Sequence, residues 1–364
     1  MMDRGTGFLG LFLAGGLVLA AQEPVAFDLG PSPTRNMFTF LQAPLVYEPQ
    51  SPFLTGQGRW RVDFQMVEAN ILEVSLAYAG LVPYGLDNRK VMSPPFYSWM
   101  ASVPVHESPF PFLYYLDEEI TRGSLQVRTG VGPTTDLWLQ VNGEMHSGGF
   151  MDNLAEWAHR LTGSHQWARL NIAKNQRVLA TSSYGEVTTY SQGRLPPAFQ
   201  DPILGLVQQL AGTPTSGLAG TLEVKPPLTR AYGLYESGWD TQVGLTGWWK
   251  WGSNTFLYGG AYTHRPGGNA AYRALDMTGD RGAHLGWQGR NTRKVQPYFQ
   301  LYWLSGFSTL GAQTEFHKPS LQHDLGVHWF LDPRWALTFR YVNNISSAGN
   351  TDDFQLGAGL TARF

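Results

Sequence analysis

The chain has 364 residues, no cysteine, a formal net charge of −2 and only 15% charged residues. A globular chain carries about 25% charge. The near-neutral balance excludes a basic nucleic-acid surface, and the missing thiols exclude a disulfide scaffold, thiol catalysis and cysteine-ligated zinc. Trp, Tyr and Phe make up 13% of the chain and glycines number 42, yet the mean hydropathy is −0.22, too low for a bundle of long apolar helices.

The first element is a leader. Arg4 precedes an apolar run from Phe8 to Leu19, followed by the small residues Ala20 and Ala21. About a dozen apolar residues are too few to span a bilayer, so residues 1–21 read as a cleaved secretory signal peptide. The remainder, 22–364, reads as one exported domain.

Beyond the leader, ten-residue blocks alternate strictly with period two, which is the signature of strands with one apolar and one polar face. In the last block Phe354, Leu356, Ala358, Leu360, Ala362 and Phe364 share one face. Val243, Leu245, Trp249 and Trp251 oppose Gln242, Thr246 and Lys250, and Val295, Phe299 and Leu301 oppose Gln296 and Gln300. Strands are expected near 37–46, 59–67, 71–79, 123–131, 136–143, 203–211, 218–226, 241–251, 254–263, 282–290, 294–304, 323–331, 334–342 and 353–364. That makes about 14; the patterns at 37–46 and 203–211 are the least regular, and dropping both leaves 12.

Short turns (132–135, 252–253, 291–294, 332–333) alternate with long connections, of which 80–122 and 144–202 are the longest. Short turns at one end, long loops at the other and aromatics near strand ends point to an all-β, antiparallel, up-and-down transmembrane β-barrel. Its place is the outer membrane of a Gram-negative bacterium. Outer-membrane lipids surround it, the barrel-assembly machinery reads the terminal Phe364, and the barrel is a monomer binding no nucleic acid and no cofactor. The polar residues Arg59, Arg61, Gln242, Lys250, His284, Gln288, Arg290, Gln300 and Arg340 are expected to line the lumen.

Within the long loop, Met151, Leu154, Trp157, Ala158 and Leu161 recur at helical spacing and Gly163 supplies a stop, giving a short helix near 151–162. Its polar positions Asp152, Glu156, His159 and Arg160, with Trp157, make it a candidate partial plug; packing on the barrel rim is the alternative. The acidic cluster Asp117, Glu118 and Glu119 reads as a solvated loop.

Three stretches carry a resemblance: Leu116-Asp117-Glu118-Glu119-Ile120-Thr121-Arg122, His146-Ser147-Gly148-Gly149-Phe150-Met151-Asp152 and Glu156-Trp157-Ala158-His159. They resemble the domain-of-unknown-function 3187 family, which implies an exported bacterial barrel with a Gly-Gly-Phe-x-Asp step into a His-bearing helix. The resemblance brings no activity.

A pore or transporter for a small solute is the leading functional reading. One alternative is a closed structural barrel; another is a lipid-active hydrolase using Ser147, His146 and Asp152. Adjacent residues of a strand point to opposite faces, which opposes activation of Ser147 by His146. No spacing of His, Asp and Glu suggests a metal site.

Overall fold

The alternating blocks become strands. The structure is a computed structural model, and it describes residues 27–38, 41–42, 44–74, 112–154, 157, 177–183, 186–228, 238–266, 277, 279–289, 294–307, 315–345 and 354–364. In chain order the strands are β1 Trp60–Val74, β2 Phe112–Gly130, β3 Thr135–Ser147, β4 Val178–Ser183, β5 Glu186–Gln192, β6 Ala198–Phe199, β7 Ile203–Gly212, β8 Ser216–Lys225, β9 Asp240–Trp251, β10 Asn254–His264, β11 Gly279–Gly289, β12 Val295–Leu304, β13 Ser320–Phe330, β14 Trp335–Asn344 and β15 Phe354–Arg363. The expected leader, 1–21, lies outside the described residues.

Twelve of these strands close an antiparallel barrel, running β1-β2-β3 and then β7 through β15 back to β1. The seam is regular: Val62 faces Ala362, Phe64 faces Leu360 and Met66 faces Ala358. Trp60 and Phe364 complete it by exchanging backbone bonds of 3.1 and 2.9 Å. Closure leaves no unpaired strand edge around the circuit. The β4–β5 hairpin continues from the far end of β2, and the two-residue β6 lies against β3.

Alternation then fixes two opposite surfaces. Phe64, Met66, Leu139, Val243, Leu245, Leu285, Phe299, Leu325 and Phe339 are exposed on the outside. Their neighbours Asp63, Gln140, Gln242, Thr246, His284, Gln300, Asp324 and Arg340 are buried inside. Trp249 and Trp251 stack on each other beside the turn at Gly252. The strand ends joined by short turns, together with Trp60 and Phe364, form one rim; the other carries the long connections.

Several expectations need correction. The strand number is 12, not 14, and for a different reason from the one anticipated. Residues 203–211 are a strand, while the expected strand 59–67 and the described part of 71–79 (71–74) belong to a single strand, β1; 75–79 lie outside the described residues. The described residues of 37–46 form no strand, since their backbone pairs with no ladder. β2 begins at Phe112, inside the expected loop 80–122, and β3 to β6 occupy parts of 144–202. Asp117, Glu118 and Glu119 are not a solvated loop; they lie in β2 and are buried.

Candidate functional site

A barrel of this size has an interior that side chains of the wall alone do not fill. Here the described residues of 27–58 occupy it. An ascending limb begins at the short-turn rim, where Phe27 packs edge-on to Phe330 and Asp28 meets Lys250 at 2.7 Å. It reaches the opposite rim at Met37 and Phe38, buried with Phe307 and Phe316. The chain turns back near Leu41 and descends through Leu45, Tyr47 and Ser51. Gln57 and Gly58 then bond to Gly130, and β1 begins.

This segment has almost no regular secondary structure, and a buried backbone without partners is costly. The wall supplies them. On the ascending limb Arg61 donates to the Leu29 carbonyl (3.0 Å), Gln288 to Gly30, Gln300 to Ser32 (2.9 Å), Arg340 to Pro33 (3.0 Å) and Gln355 to Arg35 (2.7 Å). Asp324 accepts from the Ser32 and Thr34 hydroxyls at 2.6 and 2.7 Å. On the descending limb Asp240 accepts from the Leu45 amide (2.8 Å), and Arg265 donates to the Leu45 carbonyl (2.7 Å). The Tyr302 hydroxyl donates to the Tyr47 carbonyl (2.7 Å), Arg128 to Ser51 (2.8 Å), and the Thr55 amide donates to Asp136 (2.7 Å).

The limbs touch where Gly30 meets Ser51. A side chain at Gly30 would stand 2.4 Å from the Ser51 hydroxyl oxygen, and φ is +88° there, a backbone geometry that favours glycine. Buried ion pairs brace the wall around them: Arg128–Asp136 at 2.7 Å, Lys225–Asp240 at 3.2 Å, and Arg265–Asp280. Near the long-loop rim Glu118 joins His146 (3.1 Å) and Arg177 (3.0 Å). Among the described residues, a cavity of about 60 Å³ lies between the limbs and the wall, bordered by Arg61, Asp63, Gln126, His328, Thr338 and Arg340. A space of this size takes a few waters, since one needs at least ~10–15 Å³.

The residues proposed from sequence fall into place unevenly. Arg61, Gln242, Lys250, His284, Gln288, Gln300 and Arg340 point inward, but most grip the inner segment instead of bordering an open path. Gln242 instead accepts from Thr263 at 2.9 Å in the wall. Arg59 is exposed at the short-turn rim, and Arg290 lies outside the described residues. Ser147, His146 and Asp152 are not brought together. His146 faces inward to Glu118; Ser147 faces outward and accepts from the Gly149 amide at 3.1 Å; Asp152 accepts from Asn70 at 3.2 Å.

Residues 152–154 are helical, and Trp157 is exposed. Met151 and Leu154 pack against Tyr341 and Phe354, which are on the outward face of β14 and β15. The described part of the expected plug helix therefore sits on the outer wall, with the Phe150 and Met151 amides donating to Glu119. Glu156, His159 and Arg160 lie outside the described residues. Among the described residues no group of three His, Asp or Glu is arranged to hold a metal ion.

The functional segment missed by sequence reasoning is 27–58. Its local signal was composition: prolines at 31, 33, 44, 49 and 52, directly before the first strand, which the weak alternation at 37–46 obscured.

The family described as "Protein of unknown function (DUF3187)" matches over residues 100–364. The chain belongs to this family. Solved structures similar to this DUF3187 chain include the COG4313 outer membrane channel from Pseudomonas putida F1, at 10% identity and a TM-score of 0.53, covering 88% of this chain and 100% of that one. The NanC porin aligns at 8% identity and a TM-score of 0.40 (67% and 93% covered), and the KdgM porin at 7% and 0.36 (70% and 96%). No curated protein matches the sequence. At such identities the likeness concerns the fold. The family match begins at residue 100, so the inner segment and β1 lie before it.

Proposed function

We propose that this protein is an outer-membrane channel for small polar solutes, held closed by its own residues 27–58. The observation that carries this reading is a polar lumen filled by a segment attached through hydrogen bonds to its main chain. A barrel with only a structural role needs no such interior; an apolar core would stabilise it better than buried polar pairs. The exposed apolar outer face supports a lipid surround, because a soluble monomer rarely shows so large a patch. The fold of the Pseudomonas putida channel agrees with it. In this reading the leader 1–21 is cleaved on export, and Phe364 guides the assembly machinery. The barrel works as a monomer, without cofactor or catalysis, and the gate is the N-terminal segment in place of the loop helix.

Planar-bilayer recording tests this. The whole chain is expected to show rare, small openings, and a variant lacking residues 28–36 a steady ohmic conductance. A folded variant that conducts no better than the whole chain would sink the reading.

A further inference from the structure

The ascending limb is held in an unusual manner. Five wall side chains from five strands, Arg61, Gln288, Gln300, Arg340 and Gln355, each donate to one main-chain carbonyl of residues 29–35. Within the limb the Thr34 amide bonds back to the Ser32 carbonyl at 2.8 Å, and the Phe38 amide to Asn36 Oδ1 at 2.9 Å. Prolines 31 and 33 hold φ near the extended range and offer no N–H, so the main chain here presents more acceptors than donors. The wall answers with donors, and with one carboxylate, Asp324, for the two hydroxyls. Recognition of this kind reads the backbone at five carbonyls and side chains at Ser32 and Thr34, where Gln300 also donates to the Thr34 hydroxyl at 2.8 Å. The descending limb differs, for it runs covalently into β1 and is wedged by Tyr47 and by the Arg128–Asp136 pair.

We propose that this donor-lined wall of β1, β11, β12, β14 and β15 is a binding site for an extended oligopeptide, and that residues 28–36 occupy it as an internal ligand. An incoming peptide with regularly spaced carbonyls takes over the same donors, displaces the ascending limb and thereby opens the lumen. The inference rests on the channel reading for its consequence but not for its binding step. An oligosaccharide, whose hydroxyls and ring oxygens lack the carbonyl spacing, fits the wall less well.

The probe is a synthetic, fluorescently labelled peptide with the sequence of residues 28–35. With the variant lacking residues 28–36 in detergent micelles, fluorescence anisotropy is expected to show saturable binding. The double substitution Gln300→Ala, Gln355→Ala weakens it on the order of tenfold, and a linear maltooligosaccharide of similar length does not compete. The whole chain gives a second readout, because Ser32→Cys introduces the sole thiol. Its labelling by a maleimide is expected to accelerate on the order of tenfold when the unlabelled peptide is added. Displacement of the bound peptide by the sugar overturns the ligand class. Absence of peptide binding, or an unchanged labelling rate, overturns the site itself. Binding without conductance keeps this inference and removes the channel reading, so the two failures are distinguishable. Should the deletion variant lose its heat-modifiable mobility and prove unfolded, the labelling rate of the whole chain decides.

Discussion

Tyr47 lies where a side chain of Gly282 would be. A Cβ on Gly282 would stand 2.1 Å from Tyr47 Cδ1, and the Tyr47 hydroxyl is 2.6 Å from His284 Nδ1 on the same strand. The ring also stacks on Tyr302 at 6.0 Å and 10°. The inner face of β11 thus has a notch shaped for one residue of the descending limb. Gly282→Val fills that notch. Overpacking of this kind costs about 1–3 kcal/mol, which biases the closed state toward opening by roughly 5- to 150-fold. The measurement is single-channel open probability, with heat-modifiable mobility showing that the barrel persists. An unchanged open probability argues that the segment does not gate.

On the ascending limb the equivalent point is Asp324. It takes hydrogen bonds from Ser32, Thr34 and Tyr298, the last at 3.1 Å, and Arg340 stands 3.9 Å away. Asp324→Asn keeps the shape but replaces a charged acceptor by a neutral one. Hydrogen bonds to charged groups contribute about 1.5–3 kcal/mol each, against about 1 for neutral ones. The limb is therefore expected to loosen while the descending limb stays in place. Hydrogen exchange separates the two: amides of 27–38 gain exchange and those of 45–56 do not. Equal gains in both would show that the segment leaves as one unit.

The wall was legible in the sequence and its contents were not. Strands such as β9 and β12 alternate over most of their length, with apolar residues outward and mainly polar ones inward; Trp248 and Leu304, apolar and inward, are the exceptions. β1 was read as two strands because its pattern inverts along its length. Phe64 and Met66 are apolar and outward, but beyond them Ala69 and Ile71 are apolar and inward, buried with Phe38 and Phe307, while outward Asn70 meets Asp152. β2 inverts in the same way, with Leu116 and Ile120 inward and Glu119 outward. That is why an acidic cluster looked like a solvated loop. Residues 27–58 carry no regular periodicity, and the weak alternation at 37–46 misled, since the partners of the described residues come from wall strands all around the circuit. Seven proposed lumen residues did point inward; what they touch depended on a segment that only the fold brings to them.

The pair of Arg128 and Asp136 is expected to dominate stability at the short-turn end. Both side chains are at most 1% exposed, and Asp136 also takes the Thr55 amide. Asp136→Ala leaves a buried guanidinium uncompensated and an amide without its acceptor, a loss of about 3–5 kcal/mol. Replacing both residues by apolar ones of similar volume, Arg128→Met with Asp136→Leu, removes the stranded charge and recovers most of that loss. Urea titration of the folded fraction in detergent measures both. A double variant as unstable as the single one would mean that Asp136 acts mainly through Thr55.

The outer face gives the sharpest contrast between lipid and water. Leu245 sits near the middle of β9 and is half exposed, while Trp251 ends the same strand, on the same face, beside the short turn. If hydrocarbon covers this face, Leu245→Arg costs about 2–4 kcal/mol and Trp251→Arg only about 0–1, because the penalty falls from the bilayer midplane to its edge. In water neither arginine would be penalised for its charge, and the larger loss would follow the Trp251 side chain, which stacks on Trp249. Unfolding of both variants in lipid vesicles therefore orders them one way for a membrane-embedded barrel and the other way for a soluble one. A greater loss from Trp251→Arg than from Leu245→Arg would remove the lipid surround from the account.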